Sequence, residues 1–347
     1  MILLDAIYIN QSGGKVLLEY FIENLEKEGL EGEVYFLIDS RLNSPVFNEV
    51  SSKNIQRIDA SESSRRKFYR ANSSKFSKIF CFGNVPPPSK LKNVTVYILF
   101  HNALILTTKY SFYSKLAQFS FFAKRLYIRY LNHSSYTWIV QTEHMAALLS
   151  RVLNVNKSGI KILPFYAGNR FKDTNRKLPE NNDNFLYVAD GVKQKNHFLL
   201  LKAWEWLFIN YHEPIVLHLT ISPEFDTLIS QIEDMQKRGV RIINHGQCNY
   251  EEIKFLYTTC NYFVMPSLSE SFGLPLIESA EAGCEIIASD LEYVYDVVIP
   301  MATFDPNNID NMAQTIMTTH SAPNLIKTKL IISNKISNLI KLITTNV

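Results

Sequence analysis

Residues 266–278 read PSLSESFGLPLIE and directly follow an apolar run that ends at Met265. Gly273 is free to take backbone angles that other residues avoid. Pro275 sits where a first helical position is expected, since the N–H it lacks would be unbonded there anyway. The spacing therefore predicts a buried strand up to Met265, a loop, and a helix over 276–282. A helix start placed after a strand and a loop presents N–H groups to an anion such as a phosphate. Glu270 falls in the loop and Glu278 about one turn into the helix, both near the strand's carboxyl end. Each carboxylate can accept two hydroxyl hydrogen bonds at once, which suits the vicinal diols of a ribose or a hexose. Two of them could grip both ends of a nucleotide sugar.

The same alternation of strand and helix extends outward. Apolar runs at 185–189, 216–220, 240–243, 262–265 and 285–288 predict the buried strands of a parallel sheet, with helical patterns between them. An earlier series does the same at 2–9, 34–38, 79–82, 94–100 and 137–140. Between its first two strands, Val16, Leu17, Tyr20, Phe21 and Leu25 mark the apolar face of a helix over 15–28. A chain of 347 residues is too long for one ordinary core and suits two α/β domains. Pro164 and Gly168, within 163–171, punctuate the gap between the two series and mark the expected hinge. The predicted fold class is α/β, with two Rossmann-like doubly wound parallel-sheet domains facing across a cleft and ligands at the carboxyl ends of the strands. The expected boundaries are 1–165 and 166–330, with a C-terminal helix in 331–347 packing back on the first domain.

Glu270, seven intervening residues and Glu278 resemble the Glu-x7-Glu signature of retaining glycosyltransferase family four, the group 1 glycosyltransferases of B-type fold. Pro266-Ser267, Phe272-Gly273-Leu274-Pro275 and Gly283 are similar too. The resemblance implies that Glu278 holds the ribose hydroxyls of a nucleotide diphosphate sugar and Glu270 the transferred sugar. Ser271, Phe272, Gly273 and Leu274 would position the donor, partly through backbone N–H groups. In that family the loop after the first strand of the second domain supplies an Arg and, five residues later, a Lys against the donor diphosphate. Lys195 matches the Lys, whereas Asp190 occupies the Arg position and Lys193 is the candidate replacement charge. A carboxylate near a diphosphate must point away or find a hydrogen-bond donor. His197, next to this loop, is read as packing or capping locally. Gly246 resembles the family's glycine before the next helix, the hinge its interdomain segment, and Asp305-Pro306 the turn before its closing helices. The resemblance covers nearly all of the second half and touches the first half at a few points.

In the first half, Gly13-Gly14-Lys15 follows the first strand, as a diglycine loop does in that family; an ordinary tight turn explains it equally well. His101, beside Asn102 at the end of the strand 94–100, resembles the family's histidine that contacts the donor sugar, although a lone histidine is usually structural. The expected catalytic set is thus Lys195, Glu270 and His101. No Asp-x-Asp motif occurs in the chain, so the resemblance implies a metal-independent transferase with no cofactor beyond the sugar donor. Two other readings are a non-catalytic binding protein that kept the fold, for which Asp190 is the support, and a sugar-nucleotide epimerase of similar shape.

Charge is unevenly distributed. Residues 51–168 hold 18 Lys/Arg against 3 Asp/Glu, while the chain from 169 onward holds 15 against 21. Such a basic field favours an anionic partner, and a phospholipid surface or a pyrophosphate-bearing substrate fits as well as nucleic acid. Residues 110–131 are rich in Phe and Tyr, and on a helical wheel Lys115, Arg125 and Arg129 share a third of the circumference. A face of that kind suits an anionic membrane or a lipid-pyrophosphate acceptor; core packing of the aromatics explains the composition as well. With the resemblance taken in, the expected partners are the donor, a glycan or lipid-linked acceptor and the inner face of the cytoplasmic membrane, and not nucleic acid. Met1–Asn10 lacks a basic flank and reads as a strand, no apolar run is long enough to span a bilayer, and four scattered cysteines read as reduced thiols, all of which suggests the cytoplasm. A role in surface polysaccharide (O-antigen or capsule) synthesis follows from the family alone.

Overall fold

Ile2–Ala6 is buried at every position, Asp5 included, and runs through a seven-stranded parallel sheet. A parallel strand covered by helices on both faces has no polar side to show, which is why these strands read as continuous apolar runs. The computed structural model describes residues 1–47, 52–107, 113–168, 170–171, 183–211, 215–321 and 326–345, with only the backbone at Ser12 and Ser52. The chain divides into two compact units, Met1–Tyr110 with Ser114–Ala167 and Ser333–Val347, and Ser111–Tyr113 with Gly168–Ile332.

The first unit runs β1 (Ile2–Ala6), α1 (Ser12–Lys27), β2 (Val34–Asp39), β3 (Ile55–Ile58), α2 (Glu62–Asn72), β4 (Lys78–Cys81), β5 (Thr95–Leu99), α3 (Ala103–Leu106), α4 (Lys115–Leu131), β6 (Thr137–Val140), α5 (Glu143–Leu153) and β7 (Ile160–Ile162). Its strands lie in the order β3-β2-β1-β4-β5-β6-β7, all parallel. The second unit runs β8 (Asn184–Tyr187), α6 (His197–Tyr211), β9 (Val216–Leu219), α7 (Asp226–Lys237), β10 (Ile242–Asn244), α8 (Tyr250–Thr259), β11 (Tyr262–Met265), α9 (Leu274–Glu281), β12 (Glu285–Ser289), α10 (Glu292–Tyr295), β13 (Val298–Ile299), β14 (Ala302–Phe304), α11 (Ile309–Ser321) and β15 (Lys329–Leu330). Its main sheet is also parallel, in the order β10-β9-β8-β11-β12-β14. The last helix, α12 (Ile336–Thr344), belongs to the first unit. Both sheets are doubly wound, and the strand order reverses between β1 and β4 and again between β8 and β11. Such reversals open crevices at the carboxyl ends of the strands.

The two doubly wound sheets agree with the fold class expected from the sequence, with local differences. The strand expected at 240–243 forms at 242–244, because Gly239, at φ 94, turns the chain out of α7 and leaves Val240 buried in the turn. The sequence pattern does not predict strands β3, β7 and β14. They are short and lie at sheet edges, and β3 exposes its two middle residues, so none carries a long apolar run. Gly13-Gly14-Lys15, expected as a loop before a helix, instead forms the first turn of α1, whose N-cap is Gln11. Of the aromatic stretch 110–131, residues 110–112 lie outside the described residues; the rest begins α4 at Lys115 with Ser114 capping Ala117 N–H.

Asp5 keeps its place in an apolar strand because it is paired. Arg65 Nε donates to its Oδ2 at 2.8 Å and the Tyr69 hydroxyl at 2.7 Å. The Arg65 Nη atoms donate to the carbonyls of Pro86 and Val85 at 2.8 and 3.0 Å, so the buried pair pins the proline-rich loop after β4. A buried charge is tolerated only when its hydrogen-bonding groups are met in this way.

Candidate functional site

In the second unit, the loops leaving β8 and β11 are joined by side chains that are distant in sequence. Residues 193–195 make a single 3-10 turn that ends at Asn196, held at φ 60, a left-handed conformation that Asn tolerates better than most residues. Asn196 Nδ2 donates to the carbonyls of Pro266 at 3.2 Å and Pro306 at 2.8 Å. Leu268 N–H donates to Gln194 O at 2.8 Å. The Tyr187 hydroxyl donates to Lys195 O at 2.9 Å and lies 2.8 Å from Ser267 Oγ, while Tyr293 donates to Ser267 O at 2.9 Å. The two loops therefore hold one geometry.

That geometry brings Lys195 and Glu270 together. Lys195 Nζ lies 2.6 Å from Glu270 Oε1, with side chains 19% and 13% exposed. The pair is close enough to the surface to be reached by a ligand and deep enough for water to screen it weakly. Three residues on, Gly273 takes φ 75 and starts α9 with no side chain capping the helix. A phosphate oxygen could serve as the missing cap. Leu274 and Pro275 occupy the first turn, so the helix begins two residues earlier than the sequence spacing predicts. Phe272 is buried, whereas Ser271 and Leu274 are half-buried beside it.

Glu278 projects from α9 and accepts a hydrogen bond from the Tyr257 hydroxyl at 3.0 Å. Burial pushes its carboxyl up to about 7, with a contribution from nearby Glu281 and against the pull of Tyr257 and Arg170. The carboxyl end of β10 carries Gly246 at φ 72 with open space where a Cβ would stand. There the backbone angle, and not crowding, asks for glycine. Asn244, which sequence reasoning missed, links this loop to the one after β9 by exchanging hydrogen bonds with Ile221 N–H and C=O, both at 2.9 Å.

Asp190 is exposed and, among the described residues, makes no hydrogen bond or ion pair; Lys193 is exposed as well. The loop they share is held from one side by Phe225, for a Cβ on Gly191 would come within 2.5 Å of its ring. Phe225 is a second residue missed by sequence reasoning, since only a lone glycine signals it. His197 is buried, its ring 4.8 Å from that of Tyr187, and burial together with Lys195 pushes its pKa down to about 3. That agrees with the packing role expected of it.

In the first unit, His101 and the diglycine meet. A Cβ on Gly14 would lie 3.2 Å from His101 Cε1, so the bare first turn of α1 makes room for the imidazole. His101 N–H donates to Asn84 Oδ1 at 2.6 Å, and its Nε2 lies 3.1 Å from Phe82 O. Burial pushes its pKa down to about 4, so at neutral pH the ring is uncharged. A carbonyl can only accept, so Nε2 carries the proton and Nδ1 is left as an acceptor. Lys15 Nζ lies 3.7 Å from Glu19 Oε1, one turn along α1. Among the described residues no three His, Cys, Asp or Glu side chains converge to hold a metal ion, and no helix is long and apolar enough to cross a membrane.

Residues 169–331 match the family Glycosyl transferases group 1. The chain is 29% identical over 136 residues to the O-antigen chain mannosyltransferase B of Escherichia coli, a stretch covering 38% of this chain and 35% of that protein. It thus spans little more than a third of that relative's length. Its structure is similar to that of WaaG, a glycosyltransferase involved in lipopolysaccharide biosynthesis, with a TM-score of 0.71 at 12% identity over 99% of this chain and 100% of WaaG. It is also similar to Anabaena Alr3699/HepE in complex with UDP and glucose, with a TM-score of 0.68 at 12% identity over 92% and 89% of the two chains. Residues 169–331, within the second unit, thus carry the match to the glycosyl transferases group 1 family, and the chain has the glycosyltransferase B-type fold.

Proposed function

We propose that the chain is a retaining hexosyltransferase that moves a sugar from a nucleotide diphosphate donor to a glycan or lipid-linked acceptor in bacterial surface polysaccharide synthesis. The observation that carries this reading is the Lys195–Glu270 contact at 2.6 Å beside the uncapped start of α9, at the strand-order reversal of the second sheet. The reaction breaks the bond between the anomeric carbon and a phosphate oxygen and forms one to the acceptor oxygen. Negative charge grows on the leaving diphosphate, and the Lys195 ammonium and the N–H groups at Gly273 and Leu274 stabilise it electrostatically. The acceptor's proton passes to a phosphate oxygen on the face where the new bond forms, so configuration is retained without a protein nucleophile. Glu278 takes the ribose hydroxyls and Glu270 the hydroxyls of the transferred sugar, oriented by its bond from Lys195. Ser271, Phe272 and Gly246 shape the donor's surroundings, with Lys193 and Asp190 at their solvent side.

Acceptor binding is assigned to residues 1–165 and donor binding to 166–330, with 331–347 completing the first. Neutral His101, through Nδ1, is an acceptor for a sugar hydroxyl, and Gly13 and Gly14 let a ligand approach the backbone beside it. The charge on the diphosphate is met by protein cations and amides, so turnover should persist in excess EDTA. The proposed location is the cytoplasm, at the inner face of the membrane where a lipid-linked acceptor would be available. The mannosyltransferase and lipopolysaccharide names of the similar proteins support the surface-polysaccharide role and make a nucleotide-linked mannose the first donor to test. Titration calorimetry with UDP, GDP and dTDP, followed by donor turnover, tests the reading. Lys195→Ala and Glu278→Ala should each impair turnover of the donor so identified, and unchanged turnover in both would overturn the site.

A further inference from the structure

Helix α4 carries one apolar face more than its packing uses. Ile128 and Leu131 are buried, and Phe121 packs with Ile128 against the core of the first unit. At about 100° per residue, the opposite side of the helix carries Leu116, Phe119, Phe122, Leu126 and Tyr130 within an arc of about 120°. All five face water; Leu116 is 83% exposed, Phe119 70% and Tyr130 81%. Core packing of the aromatics, which the composition alone leaves open, therefore does not account for these side chains. A line of large apolar groups on a water-facing helix marks a contact surface.

The surroundings say what kind. Residues 115–131 contain Lys115, Lys124, Arg125 and Arg129 and no acid. Exposed Lys115 and Arg129 stand within or beside the apolar arc. On its other flank Arg66 Nη2 donates to the Tyr127 hydroxyl at 3.4 Å, and Arg66, Lys67 and Arg70 line an open depression on α2. Glu62, 3.4 Å from Arg66, is the acidic group beside this flank. At about 1.5 Å per residue the helix is roughly 26 Å long, too short and too charged to cross a bilayer and well suited to lie along one.

We propose that this face of α4 docks the first unit on an anionic phospholipid surface, with the apolar stripe at the acyl-chain boundary and the flanking cations among the headgroups. A second copy of the chain is the poorer occupant, since a two-fold contact would set each cationic rim against its twin.

Co-sedimentation of the full chain with vesicles of phosphatidylcholine, with and without phosphatidylglycerol, tests this. Binding should favour the anionic vesicles by about tenfold or more and weaken with salt. The triple variant Leu116→Ser/Phe119→Ser/Tyr130→Ser should lose it by a similar factor with its melting temperature unchanged. A second variant, Phe119→Trp, reports insertion without removing the stripe: its fluorescence emission should shift to the blue on adding anionic vesicles. Absence of vesicle binding, equal binding by the triple variant, or a wild-type dimer that the triple variant renders monomeric would each overturn the proposal, as would an unshifted Phe119→Trp emission. None of these readouts depends on donor chemistry.

Discussion

Glu278, the residue proposed to hold the ribose, is where the fold bears most directly on the proposed ligand. Burial opposes its negative charge more strongly than Tyr257 and Arg170 favour it, which leaves the carboxyl half protonated near pH 7. Two diol hydroxyls donate best to the ionised group. Nucleotide affinity should therefore rise with pH, by up to about tenfold per unit well below 7, and level off above it. The stability of the unliganded protein should run the other way. A carboxyl with its folded pKa raised contributes most below its unfolded pKa of about 4.5, and that contribution is lost as pH rises through about 7. Glu278→Gln should flatten both profiles, as read by calorimetry with the preferred nucleotide and by urea unfolding across the same pH range. A wild-type affinity independent of pH would remove Glu278 from the ribose. Lys195→Ala tests the leaving-group charge and should lower kcat roughly 100- to 1,000-fold, as measured from initial rates at saturating donor. Glu270 and Glu278 stand out in the sequence because short spacing and flanking residues carry the pattern, and Lys195 through the family resemblance, although Asp190 departs from it. Asp5–Arg65, Asn196–Pro266 and Asn196–Pro306 are not, since their partners lie 60, 70 and 110 positions apart. Nothing local in a single chain encodes such a pairing.

At the scale of elements, the central strands announce themselves and the edges do not. Runs such as 79–82 and 262–265 are buried on both faces and so read as apolar throughout, whereas β3 exposes Gln56 and Arg57 and β7 is only three residues long. The start of α1 departs from the sequence expectation for a related reason. Two consecutive glycines are poor helix formers, and propensity alone places them in a loop. In the structure both lie in the first turn of α1, and a Cβ on Gly14 would stand 3.2 Å from His101 Cε1, which favours glycine at that position. The joined loops after β8 and β11 make a sharper test of what positions the site. Asn196→Ala removes the donor to two carbonyls and also strains a residue held at φ 60. Asn196→Gly relieves the strain and still removes the donor. The alanine variant should lose about 2 to 4 kcal/mol in urea unfolding, and the glycine variant less. Both should depress kcat, because Lys195 and Glu270 stand on the loops that Asn196 joins. A full-rate Asn196→Gly variant would show that the joint stabilises the unit without placing the pair.

The connection of the whole chain gives its last helix an unusual weight. The second unit lies between segments of the first, which the chain leaves after Ala167 and re-enters at Ser333. The first unit is therefore completed only by the last residues. Lys335 N–H donates to Pro164 O at 2.7 Å, and Asn334 Nδ2 to Tyr166 O at 2.5 Å, so the returning segment runs beside the departing one. Helix α12 then buries Ile336, Leu339, Ile340 and Ile343, and Lys78 Nζ donates to Ile343 O at 3.0 Å and also to Thr345 O, satisfying carbonyls at the helix end. Four aliphatic side chains at roughly 1.5–3 kcal/mol each give an upper estimate of about 6 to 12 kcal/mol, comparable with the stability of an entire domain. Loss of α12 should therefore unfold the first unit while leaving the second, whose strands and helices are contiguous in sequence, able to bind nucleotide. Leu339→Ala is the milder form of the test. It should lower the stability of the first unit by about 2 to 5 kcal/mol in urea, followed by fluorescence of Trp138, the only one of the three tryptophans in that unit. Nucleotide affinity should change by less than about twofold, since the residues proposed to hold the nucleotide stand on the second unit. A variant that weakened nucleotide binding as severely as it weakened folding would mean that the two units do not keep separate accounts of stability and ligand.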